Sequence, residues 1–272
     1  MLQELLDSYK SVSLEQMGKV KLMNRVDTKF VTTVDRLECL LRLAAGRYSI
    51  QQIEGRTMMP YTTLYFDTAD CDMFAEHQRG KKTRQKIRIR RYENSGVAFL
   101  EVKRKNNKGR TDKKRMQVGE RTPDLDREQY RTFLLQKSRY GAARLLPQLS
   151  NAFRRITLVN DAMTERLTID LGLRFRNEQT GLSTDMGPLV IIEVKRDGQT
   201  YSPVMEMLRE LRIHQSGFSK YCIGMALTNP VLKANRFKER LRYVDKLRRL
   251  SDKSDLSDGS DRTHRPCVPT MC

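Results

Sequence analysis

Alternation of basic and apolar residues in several short segments constrains the fold of this chain more than any other feature. In the segment KIRIR, Lys86, Arg88 and Arg90 occupy every second position, and Ile87 and Ile89 lie between them. Because successive side chains of a β-strand point to opposite faces, the cations share one face of a strand and the isoleucines share the other. The segment therefore predicts a sheet with one apolar face and one strongly basic face.

Five further segments show the same alternation. The residues that share their polar faces are Arg25, Asp27 and Lys29; Glu101, Lys103 and Lys105; Lys113, Arg115 and Gln117; Arg166, Thr168 and Asp170; and Glu193 with Lys195. For one strand alone, a solvated sheet face explains such a pattern. Repeated cations at positions i and i+2 repel one another, and an anion between them relieves that repulsion. The repetition favours a basic face that binds a polyanion.

The overall charge agrees with an anionic partner. Lys and Arg total 52 against 33 Asp and Glu, which gives a formal net charge of +19. The basic strand faces hold no aromatic residues that could stack on bases, so specific nucleic-acid binding is not expected. The chain also has no GxxxxGK[ST] phosphate-binding loop. A phosphate-rich small molecule and an acidic membrane surface remain as candidate partners.

The coarse secondary structure is a series of short strands with few helices. A helix is predicted over 1–20, others over 34–45 and 126–139, and one more after Tyr201. Strands are predicted over 24–33, 61–67, 85–92, 97–105, 113–118, 153–159, 165–170, 173–177 and 189–195. This order favours an α+β protein whose antiparallel sheet closes on itself.

The C-terminal part of the sequence does not show the alternation of the predicted strands. Residues 235–250 predict a basic amphipathic helix with Phe237, Leu241, Val244 and Leu247 on one side. Packing of this stripe on the sheet and contact of the helix with acidic lipid or a partner protein are both open. Residues 251–272 are rich in Ser and Asp and are expected to be disordered. We therefore expect an N-terminal helix over 1–20, the strand-rich domain over 21–234, the basic amphipathic helix over 235–250 and a disordered tail over 251–272.

Targeting features are absent from the sequence. The N-terminus MLQELLDSYK lacks an apolar segment, no stretch approaches 18 apolar residues, and the five cysteines are scattered. We expect a cytoplasmic protein, with membrane association as an open alternative.

Carboxylates interspersed among the cations suggest a metal. Glu101 and Glu193 each lie two residues before a lysine on the same strand face. Mg²⁺ takes one or two carboxylates and completes its shell with phosphate oxygens and water. The spacing therefore places a candidate metal ligand beside a candidate phosphate ligand.

The segments NRVDTKF, YTTLYFDT, KIRIRRY, FLEVKRK, ERLTID, VIIEVK and GFSKY, in this order from about residue 20 to about 240, resemble the VTC domain. This is the polyphosphate polymerase domain of the vacuolar transporter chaperone proteins, within the triphosphate tunnel metalloenzymes. The resemblance implies a closed antiparallel tunnel of eight strands with flanking helices. It also implies transfer of the γ-phosphate of ATP to a polyphosphate chain with Mn²⁺ or Mg²⁺. The chain resembles bacterial stand-alone modules, without the regulatory and membrane parts of the yeast proteins.

The resemblance, together with the strand alternation and the carboxylate–lysine spacing, predicts roles for individual residues. The catalytic set is Arg88, Arg90, Lys103, Arg166 and Lys220; the phosphate-binding set is Lys29, Arg25, Lys86, Lys105, Lys113, Arg115, Arg155 and Lys195; the metal ligands are Glu193 and Glu101. The first strand departs from the ExExK motif of many tunnel enzymes, so a site with two glutamates is not expected there. Hydrolysis of tripolyphosphate or a nucleoside triphosphate in the same tunnel, or polyanion binding without catalysis, are the alternatives. For His77, contact with phosphate and a local hydrogen bond are both open.

Overall fold

The computed structural model describes residues 1–18, 20, 25–119, 124–198 and 200–257, excluding the side chains of Arg25 and of 250–257. Its strands are β1 (Ser11–Val12), β2 (Arg25–Thr33), β3 (Tyr48–Gln51), β4 (Met59–Asp67), β5 (Arg84–Tyr92), β6 (Ala98–Lys105), β7 (Thr111–Val118), β8 (Leu146–Asn160), β9 (Glu165–Asn177), β10 (Ser183–Asp185) and β11 (Leu189–Asp197). Its helices are α1 (Leu2–Asp7), α2 (Leu14–Gly18), α3 (Val34–Ala44), α4 (Asp72–Gln78), α5 (Glu128–Lys137), α6 (Pro203–Glu210), α7 (Lys220–Thr228) and α8 (Lys238–Ser257).

Eight of the strands form one antiparallel path, which confirms that part of the predicted fold. Their order is β2-β11-β9-β8-β4-β5-β6-β7. The expected closure is wrong: within the described ranges no ladder joins β2 to β7, so the sheet is an open, curled half-barrel. Nearly every residue of β7 is exposed, and the strand carries Asp112, Lys113, Lys114 and Arg115. Charged side chains of this kind discourage pairing at the edge of a sheet.

The two longest strands cross the middle of the sheet. The predicted strands 165–170 and 173–177 are a single strand, β9. Its pairing with β8 shifts register between Ala152 and Arg154, and Gly172 beside the shift has φ of 62°. Glycine adopts a positive φ without steric cost, so the strand bends at a bulge and continues. The bend curls the sheet around its basic face.

Helices cover the apolar parts of the half-barrel. Helices α1, α3 and α6 pack on β9 and β11 through Leu6, Leu37, Leu40 and Leu208. The face of β5 and β6 that carries Ile87 and the other apolar side chains packs against α5. Helix α7, which the sequence did not predict, fits against β8 and β9, where a Cβ on Gly224 would come within 2.6 Å of the Phe175 ring. The basic strand face is left to line a cavity.

The two ends of the chain differ from the predicted helices. In place of one helix over 1–20, α1 and α2 flank the two-residue strand β1, which pairs in parallel with β3. Helix α8 follows a 3₁₀ turn at Asn235–Phe237 and continues to Ser257, past the predicted end at 250. The rest of the predicted disordered tail, 258–272, lies outside the described residues. None of the described helices combines the length and the apolar character needed to cross a bilayer.

Candidate functional site

The basic face of the half-barrel lines a cavity of about 1050 Å³. Among the described residues, its walls carry fifteen Lys and Arg side chains and three Asp and Glu side chains. Every predicted site residue lines this cavity except two. The side chain of Arg25 lies outside the described part of the chain, and Glu101 is buried beneath the wall. The alternation in the sequence therefore identified one continuous surface.

Three lysines lie side by side across one wall. The register of β5, β6 and β7 places Lys86 opposite Lys103, and Lys103 opposite Lys113. Directly opposed residues of an antiparallel pair have Cβ atoms about 5 Å apart, and like charges in such pairs are destabilising. Arg88, burial and Arg90 together hold the pKa of Lys103 well below its usual range. Lys86 Nζ donates a hydrogen bond of 2.9 Å to the neutral hydroxyl of Ser219. This row of Lys86, Lys103 and Lys113, the lysine row, contains no carboxylate.

The next row of the same wall contains a carboxylate, Glu101, which is 1% exposed. Glu101 accepts from Arg88 Nε at 2.7 Å and from Lys113 Nζ at 2.9 Å. Burial alone would raise the pKa of Glu101, but Arg88, Arg90 and Lys113 hold it far below its usual range. Because its oxygens are enclosed by cations, Glu101 positions Arg88 and Lys113. Metal binding by Glu101 stays a prediction, and the contacts in the structure assign Glu101 a positioning role.

Asp170 is the site residue that the sequence analysis did not select. Its carboxylate accepts from Arg155 Nε at 2.6 Å and Nη2 at 2.8 Å, and it also pairs with Lys220 Nζ. Burial opposes ionisation, but Arg155 and Lys220 lower the pKa of Asp170 far below its usual range. The signal was present in the sequence, since Asp170 shares a strand face with Arg166 and Thr168. Asp170 holds Arg155, a predicted phosphate ligand, beside Lys220, a predicted catalytic residue, on a second wall of the cavity.

Glu193 is the predicted metal ligand that reaches the cavity. It lies 3.5 Å from Lys29 and pairs with Lys195, with about a fifth of its side chain exposed. Burial would raise its pKa, but Lys29 and Lys195 hold it well below the usual range. Within the described ranges, no three His, Cys, Asp or Glu side chains are grouped to hold a metal ion. The donors fit a divalent metal held by Glu193 and phosphate oxygens, and do not fit a metal enclosed by protein ligands.

The cations of the cavity are held in a strongly positive field. Burial, Arg88 and Arg155 lower the pKa of Arg90 to about 10, and its guanidinium lies 5.8 Å from the rings of Tyr61 and Phe153. Burial would raise the pKa of Tyr65, but Arg88 and the cations around it lower the value to about 8. A site that makes a phenol easier to ionise favours a bound anion.

The other predicted ligands complete the two walls. Arg115 lies 4.4 Å from the Phe99 ring, and Lys105 is opposite Arg84. Arg166 is opposite Lys195 on the second wall. Burial lowers the pKa values of Lys195 and Lys220 to about 8, against the pull of their carboxylate partners. All these side chains face the same cavity, so one ligand can contact both walls.

Comparison with known proteins assigns the family. A family model described as the VTC domain matches residues 24–229. The chain belongs to the VTC domain family. Comparison with curated proteins found no match.

Comparison with solved structures finds three similar chains at low identity. A candidate adenylate cyclase from Bacillus halodurans is 16% identical over 72% of this chain and 96% of its own, with a TM-score of 0.47. HpAC1 from Hippeastrum, a candidate adenylyl cyclase with a dominant triphosphatase activity, is 16% identical over 75% and 96%, with a TM-score of 0.48. A candidate adenylate cyclase from Vibrio parahaemolyticus is 10% identical over 75% and 99%, with a TM-score of 0.44. The family assignment rests on the VTC match.

Proposed function

We propose that the protein is a polyphosphate polymerase that transfers the γ-phosphate of ATP to the end of a phosphate chain in the basic cavity. The lysine row is the observation that carries this proposal. Like charges directly across a sheet cost stability. Among the described residues, no hydrogen bond or ion pair is made by the side-chain ammonium group of Lys103, which lies between two cationic neighbours in the sheet. An anion with several oxygens would relieve the repulsion along the whole row.

The two walls suit a chain of phosphates better than a single small anion. The lysine row and Arg90 line one wall. Arg155, Lys220 and the two lysines that flank Glu193, Lys29 and Lys195, line the other. Each phosphate offers several acceptor oxygens to these donors. Donors already fixed by the fold stabilise developing charge without reorganising during the reaction. Membership in the VTC domain family supports phosphate-chain chemistry at this site.

The reaction needs positioning and neutralisation of charge. A terminal oxygen of the acceptor chain attacks the γ-phosphorus of ATP in line, the new P–O bond forms, and the bond to the β-phosphate oxygen breaks to release ADP. A terminal phosphate is largely ionised at neutral pH, because its second pKa is about 6, so no protein base has to remove a proton. Arg88 and Arg90 would bind the transferred group, and Lys220 would orient it.

A divalent metal, Mn²⁺ or Mg²⁺, would be held at Glu193 together with the substrate. When bound, it would neutralise phosphate oxygens. Lys29 and Lys195 already occupy the oxygens of Glu193, so we expect the metal to bind weakly alone and more tightly with triphosphate. Thermal unfolding with Mn²⁺, with tripolyphosphate, and with both together tests this expectation without measuring turnover. Equal stabilisation by Mn²⁺ with and without tripolyphosphate would contradict it.

Hydrolysis of a triphosphate is the second candidate, and one observation favours it. The half-barrel is open between β2 and β7 among the described residues, which gives water access to the cavity. Water and a phosphate oxygen would attack the same phosphorus with the same ligands around it. The two reactions differ in the acceptor alone.

The deciding experiment incubates the protein with ATP and Mn²⁺ and separates long polyphosphate from free phosphate. Long polyphosphate supports the polymerase, and free phosphate alone at every ATP and metal concentration replaces it with the hydrolase. Neither product, with tripolyphosphate still bound, indicates a binding module. Lys103→Met should abolish the reaction, whereas Lys114→Met should not, because Lys114 is more than half exposed and belongs to the opposite face of β7.

A further inference from the structure

The basic lining of the cavity continues past the end of the family match. Arg236 and Arg240 line the cavity although they belong to the 3₁₀ turn and to α8, beyond residue 229. The guanidinium of Arg236 covers Gly80, where an added Cβ would come within 2.5 Å of Nη1. The guanidinium of Arg240 covers Gly217, where an added Cβ would come within 3.2 Å of Nη2. Two arginines from the C-terminal segment therefore form part of the cavity rim.

Core packing holds this segment in place. Phe237 is 2% exposed, and its ring lies 5.7 Å from Phe74 and 5.6 Å from His77. Val244 and Leu247 are buried in the same cluster. The predicted apolar stripe therefore packs on the half-barrel, and this packing fixes where the two arginines project. The fold therefore fixes the positions of Arg236 and Arg240 at the cavity.

The rim arginines have no counterion among the described side chains. No hydrogen bond or ion pair within the described ranges compensates the guanidinium of Arg236 or of Arg240. They line the cavity together with Arg84 and Lys86. Burial together with these four cations lowers the pKa of His77 to about 3. His77 is consequently neutral and makes a local contact from Nδ1 to Cys222 Sγ at 2.9 Å. The rim is a concentrated positive charge open to a ligand.

The rim prolongs a row of cations that starts deep in the cavity. Alternate positions on one face of β5 place Arg90, Arg88, Lys86 and Arg84 in line over roughly 20 Å. Arg236 covers Gly80, four residues before Arg84. Arg240 covers Gly217, two residues before the Ser219 that Lys86 contacts. Both arginines therefore lie near the end of β5 where this row reaches Arg84. A triphosphate, whose three phosphorus atoms are joined by single bridging oxygens, is shorter than this row. The outer cations therefore need more phosphates than a triphosphate can supply.

We propose that Arg84, Arg236 and Arg240 form an outer subsite that binds the additional phosphates of a chain longer than triphosphate. The inference rests on the proposed function, and it adds that α8 determines the preference for chain length. A nucleic-acid backbone could supply the same phosphates. Phe237, which lies between Arg236 and Arg240 in the chain, is 2% exposed and offers no face for a base. The observations favour inorganic polyphosphate.

The test compares R236Q/R240Q with a control of equal charge, R242Q/K246Q, whose residues are exposed on the same helix and do not line the cavity. Dissociation constants for tripolyphosphate, size-fractionated long polyphosphate and a single-stranded oligonucleotide are measured at one ionic strength. For R236Q/R240Q, we expect affinity for long polyphosphate to fall about five- to thirty-fold, since partly exposed charge pairs contribute up to about 1 kcal/mol each. Affinity for tripolyphosphate should change less than about two-fold, and the control should match the wild type for both.

The possible outcomes separate this inference from the proposed function. If the wild type binds neither phosphate ligand, the proposed function fails, and the inference fails with it. If the wild type binds both and R236Q/R240Q weakens them equally, or weakens neither, the outer subsite alone is overturned. Equal losses in the control pair would show a general effect of net charge and overturn the subsite. Oligonucleotide binding that is tighter than long-polyphosphate binding and depends on the two arginines would assign the rim to nucleic acid.

Discussion

Replacing Lys103 by Met should stabilise the protein without ligand. Met keeps the apolar stem of the side chain and removes the central charge of the lysine row. Two unit charges about 7 Å apart repel by about 2 kcal/mol at an effective dielectric constant of about 20. Lys103 faces two such neighbours, while attraction to Glu101 offsets part of the repulsion. We expect a net gain of about 1–2 kcal/mol, or a melting temperature about 2–8 °C higher.

The same substitution should reduce stabilisation by ligand. At a concentration 100 times its dissociation constant, a ligand raises the free energy of unfolding by about 2.7 kcal/mol. A hydrogen bond between charged groups contributes about 1.5–3 kcal/mol. At the tripolyphosphate concentration that raises the free energy of unfolding of the wild type by about 2.7 kcal/mol, the rise for Lys103→Met should be about 1 kcal/mol or less. Thermal unfolding with and without tripolyphosphate measures both effects.

Lys114→Met is the matched control. Lys114 is the next residue to Lys113 on β7, and its ion pair with Asp112 at 3.5 Å is exposed on both sides. Exposed pairs contribute about 0–1 kcal/mol, so this variant should behave as the wild type in both measurements. A melting temperature of Lys103→Met that drops without ligand would refute the reasoning, because Lys103 would then be a structural partner within the wall. An unchanged response to tripolyphosphate would remove Lys103 from the binding site.

Three further predictions concern the second wall. Asp170→Asn should lower the free energy of unfolding by about 3–5 kcal/mol in a denaturant titration, because it leaves the buried charges of Arg155 and Lys220 without their partner. Raising the pH through about 8 should weaken tripolyphosphate binding in calorimetric titrations. The positive charges of Lys195 and Lys220 are present below their lowered pKa values and are lost above them. Glu193→Gln should remove the additional thermal stabilisation that Mn²⁺ gives in the presence of tripolyphosphate, together with most turnover.

Each of these predictions has a control and a contrary result. Asp185→Asn removes a carboxylate from an exposed pair with Arg174 at 2.8 Å and should cost about 1 kcal/mol or less. Similar losses for Asp170→Asn and Asp185→Asn would contradict the buried role of Asp170. An affinity for tripolyphosphate that stays constant as the pH passes 8 would show that neither lysine holds the anion. Retention of the full effect of Mn²⁺ in Glu193→Gln would place the metal elsewhere.

Much of the fold could be predicted from the sequence because the evidence for it is local. The alternation in β5, β6 and β11 identified the strands and the side chains that share a face. Helix α7 was missed because its first two residues, Lys220 and Tyr221, end the GFSKY segment, which the sequence analysis treated as a motif. Its remaining residues are mostly apolar and show no helical period. Helices α1 and α2 were merged because the separating strand β1 is two residues long and depends on pairing with β3.

For the candidate site too, the sequence predicted the local features and the structure supplied the contacts between segments. The sequence showed which cations face the cavity, and it showed Glu101 and Glu193 as equivalent residues of two similar strands. The structure distinguishes them through their cross-strand neighbours. Glu101 lies opposite Arg88 and Arg115 and is enclosed, whereas Glu193 lies opposite Lys29 and Thr168 near the cavity. Neighbours across a sheet come from distant segments, so the spacing along one strand cannot identify them.

By itself, the sequence determined the basic face, the antiparallel character of the sheet and the family of the domain. These follow from side-chain periodicity and from motifs read along the chain. The tertiary structure alone decided that Lys86, Lys103 and Lys113 form one row, that Asp170 joins Arg155 to Lys220, and that Arg236 and Arg240 reach the cavity rim. It also left the sheet open between β2 and β7 in the described ranges. The reason is physical: periodicity assigns a side chain to a face, whereas register, closure and the docking of α8 depend on contacts between segments far apart in the chain.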